Sequence, residues 1–180
     1  MTQRDHGEIA FQPVERGDYA LLAEWLRRPH WQEWWGEPET ELGYIRDMVE
    51  GRDLTCRPFL FAVTDRPAGY IQFWHVAPHQ RPEWADDNPW LMQVPATAVG
   101  VDLSLADGDR LGQGIGSAVL RRFCEQLWSQ GYRTIVIDPD PGNGRAVAAY
   151  RKAGFRPMPE VTSGTDAALI MQFHSDKPAS

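Results

Sequence analysis

The 180-residue chain has no run of about eighteen apolar residues, so nothing in it reads as a membrane-spanning helix. Met1 to Glu8 carries none of the apolar core of a secretory signal, and the expected location is the cytoplasm. Cysteine is scarce: Cys56 and Cys124 match no metal or redox spacing, and Cys124, on an apolar helical stripe, reads as a buried thiol. The five histidines form no ligand set. His75 and His79 are four apart, but Pro78 prevents a helix between them, and no metal is expected. No Ser-His-Asp or Cys-His pattern supports a covalent intermediate. Positive charge is also short, with 18 Lys and Arg against 25 Asp and Glu and a net charge of −7. That balance argues against nucleic acid or an anionic membrane as partner, and an acidic cleft would draw a cationic small molecule instead.

What is present fits one soluble α/β domain spanning residues 1–180, with 42% hydrophobic and 24% charged residues and no repeats or linkers. Alternation over 8–14 predicts an opening strand, with Pro13 marking its end or an edge. Asp18 then caps a helix carrying Leu21, Leu22, Trp25 and Leu26, which Pro29 ends. A second helix is expected over 39–50, with Leu42, Ile45 and Val49 as its stripe and Gly51 as its stop. Strands at 58–64 and 68–75 follow, joined by a turn at Asp65-Arg-Pro. Residues 77–96 read as a long irregular loop rich in proline. Beyond it come a strand over 96–105, a helix over 112–130 with Ile115, Val119, Phe123 and Leu127 inward, and a strand over 133–137. A helix between Asn143 and Gly154 and a closing strand over 167–173 complete the chain.

The stretch from Val99 to Gly116 carries the densest signal. It reads as a strand ending near Asp102, an acidic turn, and the loop Gly112-Gln-Gly-Ile-Gly116 opening a helix. Glycines without Cβ let successive N–H groups converge on one point, and the helix dipole adds positive potential there. This suits phosphate or pyrophosphate; the alternative is a turn that lets the helix start close to a sheet. The dinucleotide fingerprint fails because Ser117 stands where a third glycine is needed, and the loop has no lysine for a nucleotide triphosphate.

Gly-x-Gly-x-Gly at 112–116, the β-rich run ending in Asp138-Pro-Asp-Pro, Asn143-x-Arg-Ala and Tyr150-x-Lys-x-Gly-Phe, in that order, resemble the GCN5-related N-acetyltransferase (GNAT) superfamily. The resemblance is strongest over about 97–156. Arg27-Arg-Pro-His-Trp-Gln-Glu-Trp-Trp-Gly36 is similar to the entry segment of the aminoglycoside 6′-N-acetyltransferases, a branch of that superfamily. The implied fold is a single α/β (α+β) domain with a mixed, mostly antiparallel sheet and helices on both faces. The acetyl-coenzyme A core would lie at about 97–156 and acceptor-side segments at about 27–50 and 76–96.

The resemblance implies acetyl-coenzyme A as cosubstrate, held by Gln113, Gly114, Ile115 and Gly116 with Asn143 nearby. It implies Asp102 as base or acceptor-positioning group, the Leu103 N–H as polariser of the thioester carbonyl, Tyr150 as proton donor to the thiolate and Asp138 as an acceptor contact. Read without it, Asp102 is a strand-end carboxylate bonding its own loop and Tyr150 a core residue. The family often has Gln or Arg where Leu111 stands, so one side-chain contact to the pyrophosphate is absent.

Trp31, Trp34 and Trp35 cannot all face one core from a short helix, so Trp34 and Trp35 are candidates for a groove that stacks on sugar rings or a cation. Trp84, among Glu83, Asp86 and Asp87, is a third candidate; solvated surface is the plain alternative. The expected function is direct acetyl transfer to the 6′-amine of an aminoglycoside-like amino sugar. A siderophore precursor of the N-hydroxylysine type or a protein N-terminus are the alternative acceptors. The expected state is a monomer or homodimer.

Overall fold

The computed structural model describes residues 7–161 and 169–176; the start of the expected closing strand, 167–168, lies outside them. Seven strands form one mixed sheet in the order β1-β2-β3-β4-β5-β7-β6. In sequence these are β1 Ile9–Pro13, β2 Cys56–Val63, β3 Arg66–His75, β4 Val99–Leu105, β5 Ile135–Ile137, β6 Phe155–Pro157 and β7 Met171–Phe173. β1 pairs antiparallel with β2, and β7 antiparallel with both β5 and β6, whereas β4 and β5 run parallel. The helices are α1 Tyr19–Leu26, α2 Pro29–Gln32, α3 Pro38–Val49, α4 Pro82–Ala85, α5 Ile115–Ser129 and α6 Gly144–Ala153.

The chain divides into two compact units, Met1–Phe73 with Leu103–Leu111, and Trp74–Asp102 with Gly112–Ser180. The first is centred on Leu22, Leu26, Trp31, Leu42, Ile45 and Tyr70, all buried. Within it Asp18 does not cap α1 through its side chain; its Oδ2 accepts from the Glu15 N–H at 2.9 Å and closes the preceding 3-10 turn instead. α3 begins one residue earlier than expected because Glu37 accepts from the N–H groups of Glu39 and Thr40, with Pro38 at the first helical position. The β2–β3 turn uses Thr64 and Asp65, both at positive φ (50° and 62°), rather than Asp65-Arg-Pro. A two-residue turn of this hand follows the strand twist, whereas a proline turn at 67 would splay the strands.

The segment leading out of α1 grips the end of β4. The Leu105 carbonyl accepts from Trp31 Nε1 at 2.8 Å and bonds His30 Nε2 at 2.9 Å, so that ring nitrogen carries a proton. Arg28 donates to the Ala106 carbonyl at 2.7 Å and to Asp107 at 2.6 Å.

The second unit contains the core of Val76, Trp90, Leu91, Val94, Ala98, Val136 and Ile170. Residues 77–96 are less irregular than expected. Three short helical pieces, Ala77–His79, Pro82–Ala85 and Pro89–Gln93, fill them, each with proline in its first turn, where the missing N–H costs nothing. α5 buries Ile115, Val119, Phe123 and Leu127 as its periodicity requires, together with Cys124. Burial pushes the Cys124 thiol well above its ordinary range, which suits a packing role. β6 was not legible as a strand; it is three residues long and ends in proline.

Candidate active site

The glycine loop enters α5 through two left-handed residues. Gly112 has φ +78° and Gly114, the residue before the first turn, has φ +89°, a conformation that costs other residues about 1–2 kcal/mol. Gly116 has ordinary helical geometry, and a Cβ there would meet nothing within 4 Å. The helix therefore starts at Ile115, three residues later than the sequence suggested. Its first-turn N–H groups, at Ile115, Gly116 and Ser117, are the ones a helix leaves without intrahelical partners.

β4 and β5 pair at only two positions, Val99 with Ile135 and Gly100 with Val136, although β4 continues to Leu105. The strands thus part, and Asp102 and Asp138 each lie two residues beyond the last pair. The period of two then sends both side chains to one face. Their proximity shows in the electrostatics. Loss of water, and secondly the Asp102 charge, raise the Asp138 carboxyl from 3.8 to about 7. Tyr150, from α6, is raised by loss of water first and then by the Asp102 and Asp138 charges, so its phenol stays protonated throughout the neutral range. The structure thus brings Asp102, Asp138 and Tyr150 together.

Asp102 bonds across the sheet to a residue of β3. Its Oδ2 accepts from the Trp74 indole N–H at 3.1 Å. Trp74 meets the His79 ring edge-on at 5.3 Å, and His79 in turn meets Trp84 at 5.1 Å. Trp84 is half exposed (51%), at the outer end of this aromatic series. Asn143 caps α6, its Oδ1 accepting from the Ala146 N–H at 3.0 Å, and Asp140 closes its own turn by accepting from Gly142 at 2.6 Å. Among the described residues no group of histidine, cysteine and carboxylate side chains could hold a metal ion, and no helix is long and apolar enough to cross a membrane.

In the other unit the three clustered tryptophans separate as their spacing demands. Trp31 is fully buried and Trp35 packs between it (5.5 Å) and Tyr70 (5.6 Å), leaving Trp34, 41% exposed, as the ring that faces solvent. Trp35 therefore serves the core first. Leu103 is half-buried on β4. The Val99 N–H donates to the Thr134 carbonyl at 3.0 Å, and alternation along the strand puts the Leu103 N–H on the same edge. Sequence reasoning missed Trp74, His79 and Gly100; the only available signal was the aromatic placed by alternation on β3.

The profile of the Acetyltransferase (GNAT) domain family matches residues 15–163. An aminoglycoside N(6′)-acetyltransferase type 1 from Klebsiella pneumoniae is 32% identical over 179 residues, covering 95% of this chain and 85% of its own length. Among solved structures, AAC(6′)-Ib in complex with paromomycin and acetyl-coenzyme A superposes with a TM-score of 0.76 at 27% identity, covering 94% of this chain and 99% of the other. The aminoglycoside acetyltransferase AAC(6′)-Ib in complex with coenzyme A and kanamycin gives 0.75 at 28% identity, over 92% and 94%.

Proposed function

The chain belongs to the GNAT acetyltransferase family, and on that premise we propose that it moves the acetyl group of acetyl-coenzyme A to the 6′-amine of an aminoglycoside. The observation that carries this reading is the carboxylate pair at the parting ends of β4 and β5, with Tyr150 beside it. Two acids so close suit a polycationic amine, and the relatives named for aminoglycosides support the amino sugar as its carrier.

Each residue then has a task set by the chemistry. Acetyl-coenzyme A supplies an acyl group on a thiolate leaving group. The loop from Gln113 to Gly116 and the start of α5 hold its pyrophosphate, and Asn143 keeps α6 in place beside it. An alkyl ammonium must lose a proton before it can attack, and Asp102 takes that proton. Asp138 holds the acceptor's positive charge. The Leu103 N–H donates to the carbonyl oxygen as negative charge grows there. Tyr150, a phenol kept protonated, donates to the sulfur as the C–S bond breaks. Overall the ammonium loses two protons, one of which ends on the thiol and the other in solvent. Trp84, half exposed in the unit that carries both carboxylates, stacks on an acceptor sugar. The protein works in the cytoplasm on a small cationic acceptor.

The test is release of coenzyme thiol against kanamycin-type aminoglycosides, a 6′-hydroxyl analogue, an N-hydroxylysine and N-terminal peptides. Turnover with the 6′-amines and none with the hydroxyl analogue is expected. Turnover confined to the N-hydroxylysine or the peptides would replace the acceptor in this reading.

A further inference from the structure

One polar side chain touching Asp102 has no part in that scheme. Trp74 lies near the end of β3 and donates its indole N–H to Asp102 Oδ2 at 3.1 Å. The ring reaches this position by lying on β4 where position 100 has no side chain. A Cβ at Gly100 would stand 2.2 Å from indole Cε2 and 2.6 Å from Nε1, closer than Cβ atoms approach a non-bonded neighbour. Two further rings hold the indole in plane, His79 at 5.3 Å and Trp90 at 6.1 Å, both edge-on.

We propose that Trp74 is a positioning residue for Asp102: its N–H fixes one carboxylate oxygen and favours the ionised form, and the glycine at position 100 makes this contact possible. The proposal rests on Asp102 being the group that takes the amine proton. An indole N–H can only donate, so it stabilises the carboxylate and not the acid. It thereby opposes the repulsion between Asp102 and the neighbouring Asp138 beyond β5, while Tyr150 from α6 remains neutral. His79 also packs here, its ring edge-on to the indole at 5.3 Å.

Trp74→Phe keeps a ring over Gly100 and between His79 and Trp90 but removes the donor. A hydrogen bond to a charged group is worth about one pH unit in its titration, more if dry. The acid limb of the kcat/KM profile should therefore move up by about one pH unit, with kcat down about tenfold and KM for acetyl-coenzyme A changed less than about twofold. A purely structural role would lower the melting temperature and leave the limb in place. The second measurement needs no turnover: the Asp102 carboxyl carbon is titrated by NMR in the ligand-free wild-type and Trp74→Phe proteins, and an upward shift is expected. Gly100→Ala, which displaces the indole, should shift it in the same direction. An unmoved carboxyl titration in Trp74→Phe overturns the role of Trp74. Silence of the wild-type protein on every amine overturns the acceptor reading instead, and the titration separates the two.

Discussion

Replacing Asp138 with asparagine should stabilise the protein, and more so as the pH rises. In the folded chain the Asp138 carboxyl holds its proton up to about pH 7, against an ordinary value of 3.8. Between those values the native state binds more protons than the unfolded chain, so stability from this group is greatest below about pH 3.8 and is lost as pH rises through about 7. The interval is about three pH units, which at 1.36 kcal/mol each sets a ceiling of about 4 kcal/mol. Roughly two of those units lie between pH 5 and pH 7. Partial solvent access to the carboxyl halves the effect, giving about 1.5 kcal/mol across that window. At about 2–4 °C per kcal/mol for a chain of this size, the melting temperature of Asp138→Asn relative to wild type should climb by about 3–6 °C from pH 5 to pH 8.5. Differential scanning fluorimetry at a series of pH values measures it. A difference that stays flat over that range would refute the raised titration. If Asp138 also holds the acceptor's cation, the same variant shows a higher acceptor KM while its affinity for acetyl-coenzyme A is kept.

Asp102→Asn should lower kcat by about 10²–10⁴-fold while calorimetry shows coenzyme A binding within about twofold of wild type; unchanged turnover would remove Asp102 from proton transfer. Gly114→Ala puts a Cβ on a residue at φ +89°, and the strain should raise KM for acetyl-coenzyme A about tenfold with little effect on acceptor KM. Trp31→Phe removes one of two donors to the Leu105 carbonyl, so denaturant melts should show a loss of about 1–2 kcal/mol.

Local chemistry made much of this molecule legible before its structure. The α5 stripe, the Asn143 cap, the Gly154 stop and the glycine loop are decided by residues within a few positions of each other, and each stands where the sequence put it to within three residues. Sequence order also marked Asp102, Asp138 and Tyr150, but it could not show that β4 and β5 separate after a single pair of steps and so bring them together. The Trp74–Asp102 bond joins residues 28 apart on different strands, and no local pattern encodes such a contact. The turn at Thr64 and Asp65 escaped because a β-branched threonine is a rare occupant of left-handed geometry, while the nearby Pro67 offered a more familiar turn. In 77–96, prolines that read as breakers serve as first residues of short helical pieces.

The grip on the end of β4 has a consequence for how the sequence can drift. Arg28, His30 and Trp31 hold Leu105 and Ala106 through main-chain oxygens, which every amino acid possesses. The held positions are consequently indifferent, as far as the grip is concerned, to which side chain they bear. The holding positions are not, since each needs a donor of particular reach. Substitutions should accumulate unequally across the two sides of one contact, and a saturation library selected for folded protein would record the holders as nearly fixed and the held as permissive wherever burial allows.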